Sequence, residues 1–162
     1  GIIVNDDELL APHSCARAEP RMTVDSEAIF ALAAHSRNDP HALEELAGSM
    51  ATAWLDQREL GTVFAARGIC RPLWLARGRD EVFFASTRTA LEIVSEYTGA
   101  RLRMTEVRDG TFLALRDGRV AHTARFRPDR TYVEERALPA VRAPGQSAYC
   151  LARLAAITAA AA

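Results

Sequence analysis

Residues 50–85 read MATAWLDQRELGTVFAARGICRPLWLARGRDEVFFA, and in them four short apolar runs, 50–55, 62–66, 73–76 and 81–85, are separated by turn-rich residues. Runs of this length, with β-branched and aromatic side chains bounded by Asp, Gly, Arg and Pro, predict successive strands rather than helices. Downstream, residues 87–97 predict a helix that stops at Gly99, a residue suited to a helix C-terminus. Two Asp-Gly pairs, Asp109-Gly110 and Asp117-Gly118, then punctuate strand-like runs at 101–107, 111–115 and 119–126. Asp-Gly is a hairpin signal because both residues tolerate positive φ. Upstream, residues 1–4 predict a short buried strand, and Asn5-Asp6-Asp7-Glu8 can cap and open a brief helix through Leu10. From Asp25 the pattern turns helical, with Ile29, Phe30, Leu32 and Ala33 on one face, and breaks at Asn38-Asp39-Pro40. A second helix is expected over 41–47, closed by Gly48. Helices, then antiparallel strands, then a helix and hairpins argue for an α+β domain with layered sheets.

The chain has 162 residues, 49% of them hydrophobic and 25% charged, enough for one domain with a core. Residues 1–126 form that domain, 127–145 read as an extended linker or arm holding Pro128, Pro139 and Pro144, and the Ala-rich 146–162 is helical on propensity. A net charge of −1 gives no global reason to expect nucleic acid or an anionic membrane as partner. All 20 basic residues are arginine; those between Arg101 and Arg130 alternate with apolar residues and are expected on the solvated faces of strands, with too few aromatics among them to stack bases. No apolar run approaches the roughly 20 residues of a membrane span. The three cysteines, Cys15, Cys70 and Cys150, are odd in number and widely spaced, which argues against a disulfide framework and for a reducing cytoplasm. Cys70 is expected to be a buried apolar residue. His13 and Cys15 are too sparse for a zinc site, and His35, His41 and His122 show no metal spacing. No nucleotide-binding fingerprint or Gly-x-Ser-x-Gly elbow occurs, so no cofactor is expected.

Three segments, in order, carry a resemblance. Gly1-Ile2-Ile3-Val4-Asn5 runs into the acidic helix start Asp6-Asp7-Glu8-Leu9-Leu10; Val24-Asp25-Ser26-Glu27-Ala28-Ile29 heads a helix; and Ala65-Ala66-Arg67 is followed by Arg71-Pro72-Leu73, Phe83-Phe84-Ala85-Ser86 and Ala90-Leu91. Over about residues 1–120 the chain resembles the glutaminase domain of class II (N-terminal-nucleophile) glutamine amidotransferases, with its Asn-Gly-Ile-Ile-x-Asn strand, Asp-(Ser/Thr)-Glu signature and Pro-Leu…Ala-Ser…Ala-Leu pattern. Ile2-Ile3 resembles the hexosamine-phosphate synthase branch (glucosamine-6-phosphate synthase-like), and Arg71-Pro72-Leu73 the amidophosphoribosyltransferase branch.

The resemblance implies an αββα four-layer sandwich of the N-terminal-nucleophile hydrolase type, incomplete here because the N-terminal segment that shares both sheets is absent. It implies that the backbone N–H of Gly1 belongs to the oxyanion hole, where a residue without Cβ lets the backbone approach the reacting centre. It implies that the carboxylate of Asp25 holds the α-ammonium of the glutamine substrate, although Asp25 could also be the N-cap of its helix. Glu27 is expected to serve the helix dipole or a structural hydrogen bond. The cysteine nucleophile of the family uses its own α-amine as base, and Cys15, Cys70 and Cys150 have peptide-bound nitrogens. The Arg-Trp segment and the oxyanion-hole Asn are likewise missing, and a chain opening at Gly1 looks like an internal segment whose upstream residues are cleaved, separately encoded or left out. The chain alone is therefore expected to be inactive, its partners being glutamine as substrate, a Cys-bearing segment or chain, and a synthase domain or subunit in an oligomer. The alternative is a non-catalytic scaffold or binding protein that keeps the glutaminase fold.

Overall fold

The computed structural model describes residues 1–13, 15 and 24–133. In chain order these form β1 (Ile2–Ile3), α1 (Asp6–Leu10), α2 (Glu27–Ser36), a 3-10 helix (Pro40–Glu45), β2 (Gly48–Ser49), β3 (Ala51–Leu55), β4 (Thr62–Arg67), β5 (Trp74–Arg77), β6 (Val82–Ala85), α3 (Arg88–Thr98), β7 (Arg103–Glu106), β8 (Thr111–Arg116) and β9 (Arg119–Arg125). The fold is mixed α and β with antiparallel pairing throughout, as the sequence predicts. The main sheets run β3-β4-β8-β9 and β6-β5-β7, and β1 pairs with β2 in a small ribbon.

Side-chain alternation along the strands gives the larger sheet two apolar faces. Trp54, Phe64, Ala66, Phe112 and Ala114 meet Ile29, Leu32 and Ala33 of α2 and Leu43 of the 3-10 helix. Trp54, Phe64 and Phe112 form an aromatic trio with ring centroids 5.7–5.9 Å apart. On the opposite face, Ala65, Leu113 and Leu115 pack against Leu73, Leu75 and Val107, bringing the smaller sheet over the larger one. The helix α3 contacts β5, β6 and β7 and buries Leu91. It starts as the sequence predicts, with the Thr87 hydroxyl accepting from Ala90 N–H, and ends at Gly99.

Several local expectations are corrected. Asn5 makes no side-chain cap to α1; its amide reaches residues far along the chain, accepting from Ala47 N–H at 2.9 Å and donating to Glu45 O at 2.9 Å. Residues 41–47 do not form an α-helix: Asp39 caps a 3-10 turn opened by Pro40, and Gly48, expected to close a helix, begins β2. Of the two Asp-Gly pairs, Asp117-Gly118 is the hairpin turn, with φ of 50° and 68° between paired β8 and β9. Asp109-Gly110 joins β7 to β8, which lie in different sheets, and Gly110 N–H bonds Arg67 O. Cys70 is exposed, with φ 60°, rather than buried. The expected arm is described only to Val133, where its Arg127 N–H bonds Glu44 Oε1 at 3.0 Å; the rest of 127–145 and the Ala-rich 146–162 lie outside the described residues.

Candidate functional site

The strand β1 is two residues long and cannot hold its place by its own ladder. It is anchored at Ile3 and just beyond it by groups distant in sequence. Beyond Ile3, Val4 N–H donates to Ala47 O at 2.9 Å, beside the Asn5 bridge. From the other side, Ile3 N–H donates to Asp25 Oδ2 at 2.7 Å across 22 residues, a charge-assisted bond. The pairing Ile2↔Ser49 and Ile3↔Gly48 brings backbone against backbone so closely that two glycines are required. A Cβ on Gly1 would overlap the Ser49 carbonyl oxygen and stand 3.1 Å from Met50 Cα; one on Gly48, whose φ is +131°, would overlap Ile2 O.

The outcome is a cleft of about 140 Å³ in which Gly1, Ile3, Asp25 and Ser26 face Ile29 of α2 and Met50, Ala51 and Thr52 at the head of β3. The two residues singled out in the sequence, Gly1 and Asp25, thus lie in one hollow. Asp25 is not the N-cap of α2. That position falls to Ser26, whose side chain makes no cap bond, and the first turn is closed by backbone bonds from Glu27, Ala28 and Ile29 to Val24, Asp25 and Ser26. One carboxylate oxygen of Asp25 is committed to Ile3; among the described residues no partner engages the other. A carboxylate that lines a small cleft with one oxygen unengaged, next to a backbone free of side chain at Gly1, can accept from an ammonium group.

Glu27 sits in the first turn of α2, where a negative charge suits the helix N-terminus. Thr52, Ser26 and Met50 were not singled out in the sequence, because what places them at the cleft is the β1–β2 ribbon and the turn before α2, pairings that no local pattern reports. Ser49, which carries the backbone Gly1 presses upon, is fully buried, and its hydroxyl has no hydrogen-bond partner among the described residues. The other candidate side chains lie elsewhere. The His13 ring meets His35 edge-on at 4.7 Å and its Nε2 is 3.5 Å from Glu45, while Cys15 Sγ donates to His13 O at 3.5 Å. Among the described residues no group of three or more His, Cys, Asp or Glu is placed to hold a metal, and no helix is long and apolar enough to cross a membrane.

A family model described as a glutamine amidotransferase domain matches residues 1–93, more than half of the chain and the whole of this cleft. No curated protein matches the sequence.

Proposed function

The chain belongs to the glutamine amidotransferase domain family, and from that premise we propose that it forms the C-terminal portion of a class II glutaminase domain, which hydrolyses glutamine to glutamate and ammonia for transfer to an acceptor. The observation that carries the reading is the shared cleft of Gly1 and Asp25, with one Asp25 oxygen left without a partner among the described residues. In this reading Asp25 holds the substrate ammonium and Gly1 N–H donates to the oxyanion as a thiolate attacks the side-chain amide carbon. Ammonia leaves with a proton, a thioester remains, and water releases glutamate and the thiol. The order of packing, α2 on one sheet, the second sheet on the other face and α3 beyond it, supports an αββα four-layer sandwich.

The nucleophile in this proposal is the N-terminal cysteine of a segment or chain not among these 162 residues. Two strand edges support a place for it. The edges β3 and β6 lie side by side, and the hollow between them, lined by Ala51, Thr52, Ala53, Phe84 and Ala85, shares Ala51 and Thr52 with the Gly1–Asp25 cleft. The Ile2-Ile3 pair, of which Ile3 is buried in the core, favours the hexosamine-phosphate synthase branch. Co-expression with a Cys-Gly-initiated glutaminase N-terminal segment tests the proposal. Ammonia release from glutamine by the reconstituted pair is expected, and a stable but inactive pair would favour the scaffold reading.

A further inference from the structure

Where the two sheets part on the side away from β3 and β6, the edges β7 and β9 leave an open hollow that no residue of the glutamine cleft touches. Two overlapping cavities of about 360 and 470 Å³ share Glu106, Val107, Arg108 and Arg125. Five arginines reach this hollow from well-separated parts of the chain: Arg67 from β4, Arg77 from β5, Arg108 from the β7–β8 connection, Arg125 from β9, and Arg130 beyond it. Among the described residues two carboxylates line it with them, Glu106 and Asp109, and both are turned toward Arg67. Its Nη1 is 2.6 Å from Glu106 Oε1, and its buried Nε is 3.0 Å from Asp109 Oδ1 though out of line for a hydrogen bond. Arg125 is held by Thr111 Oγ1 and by Asp109 O. Arg77, Arg108 and Arg130 have no partner among the described residues.

We propose that this hollow binds the phosphoryl group of a small phosphorylated molecule, independently of the glutamine site. Guanidinium forks match phosphate oxygens two at a time, and five forks set against two carboxylates among the described residues leave an excess of positive potential that a dianion relieves. The hydroxyls of Thr105 and Thr123 stand on facing strands of the two sheets and add donors for the same oxygens. Leu75, Val107 and Leu113 supply an apolar floor with room for a small organic body. Nucleic acid does not fit the lining, which contains no aromatic side chain to stack a base. Nor does the chain, at net charge −1, carry a field that would steer a polyanion to it.

The test is calorimetric titration of the full chain with inorganic pyrophosphate at low salt, compared with Arg77→Ala/Arg108→Ala and with Arg79→Ala. Arg79 is a fully exposed arginine that does not line the hollow. Saturable one-to-one binding is expected for the wild type and for Arg79→Ala. In the double variant affinity should fall roughly tenfold to a hundredfold, the size of a lost charge-assisted contact. Because Arg77 and Arg108 are exposed, melting temperatures should match; if the double variant does not fold, Arg108→Lys, which keeps the charge and loses the fork, decides by an intermediate loss. Absence of saturable binding by the wild type, an equal loss in Arg79→Ala, or preference for a short oligoglutamate over pyrophosphate would overturn the proposal.

Discussion

The Oδ2 of Asp25 accepts the Ile3 amide proton, so this side chain has a structural task that its sequence context did not announce. Asparagine at this position still offers an acceptor to Ile3 N–H, whereas alanine leaves a partly buried donor unmade, at a loss of about 1–3 kcal/mol. Asp25→Asn is therefore expected to melt close to wild type and Asp25→Ala clearly below it. In an assembly with the proposed Cys-bearing partner, Asp25→Asn should still bind glutamine some ten- to a hundredfold more weakly, because the proposed contact to the substrate ammonium loses its charge. Calorimetric affinity and thermal melts on the same samples separate the two tasks. Asp56 offers a second residue-scale prediction. Hydrogen bonds from Arg58, first, and from Asn38 hold its carboxyl well below the ordinary 3.8. Asn38 in turn accepts from Trp54 Nε1 at 3.0 Å, which ties the acid to the core. A depressed folded-state pKa adds stability that is fully present above the unfolded value and is lost as pH falls toward the folded one. Wild type should thus lose stability on acidification below about pH 4, and Asp56→Asn, less stable at neutral pH, should lose less over the same range in acid-unfolding curves.

At the scale of elements, the two sides of the sandwich treat their strand edges differently. The edges β7 and β9 carry Arg103, Glu106, Arg119 and Arg125, charges that discourage pairing with another chain. The edges β3 and β6, Ala-Thr-Ala-Trp-Leu and Val-Phe-Phe-Ala, carry none, and Phe84 is 40% exposed on β6. Unprotected edges template pairing. The isolated chain should therefore show an average mass that rises with concentration in sedimentation, and Phe84→Lys should reduce that rise without lowering the melting temperature. A wild type that stays monomeric at high concentration would remove this support for a complementing segment.

For the whole molecule, the prediction concerns the cysteines of these 162 residues. Cys70 is exposed and Cys15 half-buried, but the proposed mechanism takes its base from the α-amine of the nucleophile, and the nitrogens of both are peptide-bound. The pure chain is expected to release no ammonia from glutamine above a heat-killed control. In the reconstituted assembly, replacing Cys15, Cys70 and Cys150 together by serine should leave the rate unchanged, and a rate that collapses with them would place the nucleophile within this chain.

The sequence by itself determined the elements whose causes are local. The α3 helix is written in Thr87 and Gly99, the strands in their apolar runs, the β8–β9 hairpin in Asp117-Gly118, and the family in the ordered motifs of residues 1–93. Only the tertiary structure decided which of two identical Asp-Gly pairs would turn a hairpin, because that depends on whether the strands on either side share a sheet. It alone moved Asn5 from a helix cap to a bridge 42 residues long and gave Asp25 to Ile3 rather than to its own helix. It also gathered five arginines from three strands, the β7–β8 connection and the segment after β9 into one hollow, which the alternation along any single strand could not reveal. Capping, turn and strand preferences act over a few neighbours and can be read along the chain. Partners of polar side chains and the gathering of charges are set by how sheets pair and stack, which the chain settles only once its apolar faces have been buried together.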